Sequence, residues 1–209
     1  MLSIITKKEA ASKCGTIFRD IDNVKLLWTD YEDTYYIVNL LKNSKNILEI
    51  GTHRGFTTNN IAVNTEGRIT TVDICKDMEL NLKFQNNEIL SREEVGNAIT
   101  AQNVNSVIEH SDIFFARYIK EGLKFDGIFI DGDHSYEQVK KDTENALKCC
   151  SPGGIIVWHD VYNKEGADVK TMAQPNNMGV NQVLEELDIE VFKIEKSWVG
   201  FTICQPNIN

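Results

Sequence analysis

KFDGIFIDGDHSYEQVKKDTENALKCCSPGGIIVWHD, residues 124–160, decides the fold. Residues 125–130 are mostly apolar and β-prone without a helical period, as in a strand buried on both faces. The run stops at Asp131-Gly132-Asp133-His134, and Ser135 stands three residues before Gln138, the spacing of a capping box that opens a helix. Tyr136, Val139, Thr143, Ala146, Leu147 and Cys150 mark one face at helical spacing. Ser151-Pro152-Gly153-Gly154 stops that helix, and 155–158 reads as a second buried strand ending in His159-Asp160. The unit is βαβ, and its right-handed crossover brings both strand ends to one edge of a parallel sheet. Ligands of open α/β sheets bind at that carboxyl edge. Asp131, Asp133, His134, His159 and Asp160 are therefore expected in one small volume.

Working outward, 47–50 reads as a first strand, followed by the turn Gly51-Thr52-His53-Arg54-Gly55 and a helix from 56 to about 63. A second strand covers 68–74 and carries Asp73; a third covers 104–109 and runs into His110-Ser111-Asp112 and a helix over 113–121. Residues 31–41 suit a helix that precedes the first strand. After Trp158, a helix over 180–187 and an antiparallel pair at 189–194 and 199–205 close the sheet. The fold class expected is α/β: a doubly wound, Rossmann-like, mostly parallel sheet of about seven strands, the last antiparallel, with helices on both faces. Residues 1–30 show no decisive period and are expected as short cap helices on a single domain spanning 31–209. The polar stretches 75–103 and 162–178 exceed an ordinary connection and are expected to cover the site as lids.

The 209 residues suffice for one full core, and 42% hydrophobic with 25% charged residues is ordinary for a soluble globular chain. A net charge of −9 without a basic face argues against a nucleic-acid partner. Apolar runs are strand-sized, so no membrane span is expected, and the first residues invert the order of a secretory signal. Five cysteines without a CxxC pair suit reduced thiols and a cytoplasmic location. The terminal strand pair or the N-terminal segment offers a surface for a homodimer.

A dinucleotide fingerprint needs GxGxxG, but the second glycine position is His53 and the pattern is Gly51-x-x-x-Gly55. Glu49, closing the first strand, would repel a pyrophosphate but suits an ammonium or sulfonium group. Asp73 can accept hydrogen bonds from a ribose diol. The combination favours a nucleoside with an amino-acid tail.

ILEIGTHRGFTT (47–58), TVDI (71–74), FDGIFIDGDHSYEQVKKDTENAL (125–147) and SPGGIIVWHDV (151–161), in this order, resemble the class I S-adenosylmethionine-dependent methyltransferases. Within them the chain is most similar to small O-methyltransferases that include macrolide-sugar (macrocin- and mycinamicin-type) and cephalosporin-tailoring enzymes. The resemblance covers roughly 45–162 and implies S-adenosyl-L-methionine as cofactor. It implies that Glu49, Gly51, Thr52 and Gly55 hold the methionine part, Asp73 the ribose, and Ser111 and Asp112 the adenine, with Asp131 a further cofactor-binding residue. Several relatives bind a divalent metal at positions that correspond here to Asp131, His159 and Asp160. The middle ligand is often a second carboxylate, so His159 is a departure that shifts preference from Mg²⁺ toward Mn²⁺ or Fe²⁺.

Methyl transfer from a sulfonium needs alignment and a deprotonated acceptor, supplied by a metal or a base. His134 lies where related enzymes place a lysine or histidine base. The expected activity is O-methylation of a small metabolite or sugar hydroxyl, with Asp131 and His134 catalytic. Blander roles stand beside these: Asp133 favouring the helix N-terminus, His134 as a surface residue, and His159 orienting Asp160. The rival functions are a nicotinamide-dependent oxidoreductase on the same fold and a catalytically silent nucleoside-binding module.

Overall fold

Alternate residues of a strand point to opposite faces, so a strand covered on both sides must be apolar at every position. The inner parts of β2 (Asn46–Ile50), β5 (Phe125–Ile130) and β6 (Cys150–Trp158) approach that requirement, with Glu49 the buried exception. Leu48, Ile50, Ile128, Ile130, Ile156 and Trp158 enter one layer of core; Ile47, Phe129, Ile155 and Val157 enter the other. The computed structural model describes residues 2–21, 29–78, 89–162 and 177–205, the side chains of 177 and 178 excepted. The remaining strands are β1 (Leu2–Ile5), β3 (Arg68–Asp73), β4 (Val104–Ile108), β7 (Val191–Ile194) and β8 (Gly200–Ile203). The helices are α1 (Lys7–Lys13), α2 (Tyr31–Leu41), α3 (Phe56–Val63), α4 (Ser111–Lys120), α5 (Tyr136–Cys149) and α6 (Asn177–Glu186).

One sheet of eight strands runs in the order β1-β7-β8-β6-β5-β2-β3-β4. Pairings are parallel except those of β8, which is antiparallel to both β6 and β7. The order reverses between β2 and β5, and that switch point opens a crevice outside their carboxyl ends. The first layer holds Phe114 and Phe115 of α4, Val139 and Ala146 of α5, and Val183 and Leu184 of α6. Ile37 and Leu41 of α2, Ile61 of α3 and Ala10 of α1 lie in the second. Trp158 is fully buried and its indole N–H donates to Thr143 Oγ1 at 3.0 Å.

Three local expectations are corrected. The N-terminal segment is not only helical: Leu2–Ile5 adds an eighth strand, pairing parallel with β7. The signal was present, because Thr6 and Glu9 form a full capping box on α1, which marks 2–5 as a separate extended element. The capping box expected at Ser135 does not form. Ser135 makes no side-chain cap bond; its N–H donates to Asp133 Oδ1, and Gln138 turns to Ser111, Asp112 and Asp142. The strand expected from 155 begins at Cys150, because Cys150 pairs with Phe125 before the register jumps to Gly127–Ile155. Residues 79–88 of the first expected lid and 163–176 of the second lie outside the described residues. Residues 89–103 of the first pack on the glycine turn: Gly96 N–H donates to His53 O, and Ala98 N–H to Arg54 O. Among the described residues no helix is long and apolar enough to cross a membrane.

Candidate active site

A cleft of about 590 Å³ lies over the switch point, within the ordinary range for small-ligand sites. Its floor is the glycine turn after β2. Gly51 has φ +97°, and a Cβ there would stand 2.1 Å from the Asp131 carbonyl oxygen. Only glycine lets the β2 and β5 strand ends approach this closely. Gly55, φ +85°, is the N-cap of α3 and has no side chain to cap with. His53, φ +46°, completes the left-handed turn.

Asp73 closes β3 beside this turn. Its Oδ2 accepts the His53 backbone N–H at 2.6 Å and its Oδ1 that of Ile74 at 2.7 Å. Burial raises its carboxyl above the usual range, and the backbone donors oppose that shift. Each oxygen keeps a lone pair for a further donor in the cleft.

Glu49 sits elsewhere than expected. It is fully buried on the α3 side of β2, in the layer of Ile47, and does not line the cleft. The hydroxyls of Thr58 and Thr71 donate to its Oε2, Thr71 Oγ1 lies 2.6 Å from Thr52 Oγ1, and Glu49 Oε1 has no hydrogen-bond partner among the described residues. Burial pushes this carboxyl up to about 8, over the opposing threonine hydrogen bonds. Glu49 thus acts on the turn through Thr52, which does line the cleft.

On the far wall, Ser111 lines the cleft while Asp112 is turned out toward Lys141, at 3.3 Å. Gln138 Nε2 reaches Ser111 Oγ (3.1 Å), Asp112 Oδ1 (3.2 Å) and Asp142 Oδ1 (3.1 Å). Gln138 and Asp142 face the cleft and were missed in the sequence. Their signal is an i,i+4 polar pair beside the apolar face of α5. Burial pushes the Asp142 carboxyl up to about 7 against the bonds from Ser111 and Gln138. The native state therefore keeps this proton to about pH 7, whereas an unfolded chain releases it near 4. The cost of burying Asp142 accrues between those values and is constant above them. Asp142→Asn is expected to raise the urea midpoint at pH 8 and to match wild type near pH 4.

Of the five residues of the βαβ unit expected in one volume, Asp131, His134, His159 and Asp160 lie close together and Asp133 does not join them. His134 Nε2 lies 3.0 Å from Asp160 Oδ2 and 3.5 Å from Asp131 Oδ1. His159 Nδ1 lies 3.5 Å from Asp131 Oδ1 and 3.6 Å from Asp160 Oδ2. Asp160 has φ +58°, a strained conformation for a non-glycine residue that keeps its side chain in this cluster. Burial opposes ionisation of Asp160, but the two imidazoles outweigh it and hold its carboxyl well below the usual range. Burial disfavours the His134 imidazolium, yet Asp131 and Asp160 push it up to about 10. His159 is raised in the same way. Asp133 instead binds the Ser135 N–H and stays out of the cluster.

Donor atoms of Asp131, His134 and Asp160 lie within 4.8 Å of one another. His134 Nε2 is buried and, despite its short contacts, has no hydrogen-bond partner among the described residues. A buried nitrogen between two carboxylates, unaligned with either, fits a donor set for a divalent cation. His159 also faces both carboxylates, while its Nε2 lies 3.2 Å from Asp33 Oδ2 on α2. Sequence reasoning missed Asp33, which reads only as an acid in the first turn of a helix.

Sheet order, switch-point cleft and glycine turn define a Rossmann-like α/β fold with a cleft at the carboxyl edge of its sheet. Residues 48–161 match a family model described as a methyltransferase domain. The chain belongs to the methyltransferase-domain family, and the resemblance drawn from the sequence is borne out in family and in fold. Among solved structures it is similar to TomG, an O-methyltransferase of Streptomyces achromogenes involved in tomaymycin synthesis, solved in complex with SAM. Identity is 18%, covering 95% of this chain and 87% of that one, with a TM-score of 0.58. It is also similar to an O-methyltransferase from Bacillus cereus in complex with SAH, at 21% identity, covering 94% and 88%, TM-score 0.58. At these identities the likeness carries the fold alone. No curated protein sequence matches the chain.

Proposed function

We propose that this methyltransferase uses S-adenosylmethionine to methylate a hydroxyl oxygen of a small molecule, assisted by a divalent cation. The observation that carries the reading is the junction of two sites across Gly51. Asp73 lines one part of the nucleoside-sized cleft, and Asp131 and His134 of the Asp131–His134–Asp160 cluster line another part of it. Both neighbours named above are O-methyltransferases with the cofactor or its product bound, which supports the choice of cofactor and acceptor atom. In this reading Asp73 accepts the ribose hydroxyls, and Ser111 with Gln138 and Asp142 flanks the adenine. Gly51, Gly55 and Thr52 shape the wall against the methionine portion. The acidic lining, with Asp73, Glu109, Asp131, Asp133, Glu137 and Asp142, favours a cationic sulfonium.

Asp131, Asp160 and His134 would hold the cation, with His159 closing the set. Imidazole beside carboxylates suits Mn²⁺ or Fe²⁺ better than Mg²⁺. Such a cation, when bound, favours the deprotonated form of an acceptor hydroxyl. This moves His134 from the base expected in the sequence into the donor set, because its Nε2 lies between Asp131 and Asp160, where a bound cation would displace the imidazole proton that the two carboxylates favour. A second reading keeps His134 as the base with Asp160 orienting it, favoured by their 3.0 Å contact. An assay of S-adenosylhomocysteine release over a panel of hydroxylated small molecules separates the two. The cation reading expects EDTA to remove activity more than about 10-fold and Mn²⁺ to restore it. The base reading expects EDTA-insensitive turnover that climbs with pH to about 10.

A further inference from the structure

Asp33 is a buried carboxylate that the reaction as outlined does not use. It lies in the first turn of α2, is 4% exposed, and comes from a part of the chain with no readable motif. A charge in that position would ordinarily stay in water beside the positive helix end. Here both oxygens turn inward. Oδ1 accepts the Trp198 backbone N–H at 2.9 Å, and Oδ2 lies 3.2 Å from His159 Nε2. Three elements distant in sequence, 33, 159 and 198, are thereby joined at one side chain.

His159 is held on two sides as a result. Asp33 fixes one ring nitrogen, and the Trp198 ring lies 6.1 Å from the imidazole, tilted by 48°. The other nitrogen, Nδ1, then has one direction left, toward Asp131 and Asp160. A carboxylate accepts but cannot donate, so the proton between Asp33 and His159 resides on Nε2. The carboxylates on the Nδ1 side favour a proton there too; a cation bound between them would displace that proton and leave the one on Nε2.

We propose that Asp33 is the positioning residue of the cation site, fixing His159 in the Nε2–H tautomer so that Nδ1 is presented as a ligand beside Asp131 and Asp160. The inference rests on the cation reading above and assigns Asp33 no contact with cofactor or acceptor. Partners of this kind orient a metal-ligating histidine, and their loss costs about 10- to 100-fold in metal affinity. It also explains why residue 159 is a histidine: an imidazole can link the cluster to α2 at its second nitrogen, which a carboxylate oxygen bound to a cation does less directionally.

The test is Mn²⁺ titration of the free protein, followed by the electron paramagnetic resonance of unbound Mn²⁺, on wild type and Asp33→Asn. Melting temperature and S-adenosylhomocysteine affinity are measured on the same samples. Asparagine keeps an acceptor for the Trp198 N–H but offers no carboxylate to His159. The expected result is a 10- to 100-fold weaker Mn²⁺ affinity with S-adenosylhomocysteine affinity unchanged, and partial recovery in Asp33→Glu. Equal Mn²⁺ affinity in wild type and variant overturns the role of Asp33 and leaves the cation reading standing. No Mn²⁺ binding by wild type overturns both. Should the variant fail to fold, ¹⁵N imidazole spectra of the Zn²⁺-loaded wild type decide, because the proposal requires the proton of His159 on Nε2 and is refuted by one on Nδ1.

Discussion

Gly51→Ala is expected to lower stability by about 2–5 kcal/mol and to abolish cofactor binding. The added Cβ would stand 2.1 Å from the Asp131 carbonyl oxygen, 2.6 Å from its carbon and 2.9 Å from Gly132 Cα. All three are backbone atoms at the end of β5, and Asp131 N–H is bonded to Ile50 O at 2.8 Å. Relief therefore requires the two central strands to part at their carboxyl ends, where the cleft lies. The left-handed φ of +97° adds backbone strain of about 1–2 kcal/mol. Urea denaturation would measure the loss. A variant as stable as wild type would mean that Gly51 and Asp131 are not packed as described.

Asp160→Asn should remove more than about 100-fold of the Mn²⁺ affinity, beyond what loss of an outer partner costs. Asparagine is the informative replacement because it tolerates the φ of +58° that alanine would strain. It withdraws the charge that faces His134 at 3.0 Å and His159 at 3.6 Å. A stability change accompanies it. The native carboxyl is depressed, so its contribution is present above the unfolded value near 4 and is lost as pH falls toward the native value. The variant is expected to be less stable than wild type at pH 7, by about 3–5 kcal/mol as for a broken buried pair. The gap should narrow in acid. Unaltered Mn²⁺ binding in Asp160→Asn would remove Asp160 from the donor set.

Much of this was legible in the sequence because the central sheet is buried on both faces. Residues 125–130 and 47–50 leave no solvent face to blur the pattern, and polar residues stand where each strand ends. Asp73, Asp131, His159 and Asp160 were found in that way, as polar groups terminating apolar runs. Glu49 shows the limit of the rule. It interrupts β2 one pleat before the strand end, so its side chain goes into the α3 layer instead of the crevice. Gln138 was read as a local cap because its spacing from Ser135 is right, yet three acceptors on α4 and α5, two of them lining the cleft, compete for the same amide. Asp33 was illegible, since its partners lie 126 and 165 residues away and no local period encodes them. The N-terminal strand was too short to show alternation and is defined by its partner, β7.

The most direct test of the account is calorimetric titration of the protein with S-adenosylhomocysteine, in wild type and in Asp73→Ala. The account predicts micromolar binding by wild type and a loss of about 10-fold or more in the variant, since a site built to accept a ribose hydroxyl loses its charged acceptor. Absence of binding by wild type, or equal binding by both proteins, would contradict it.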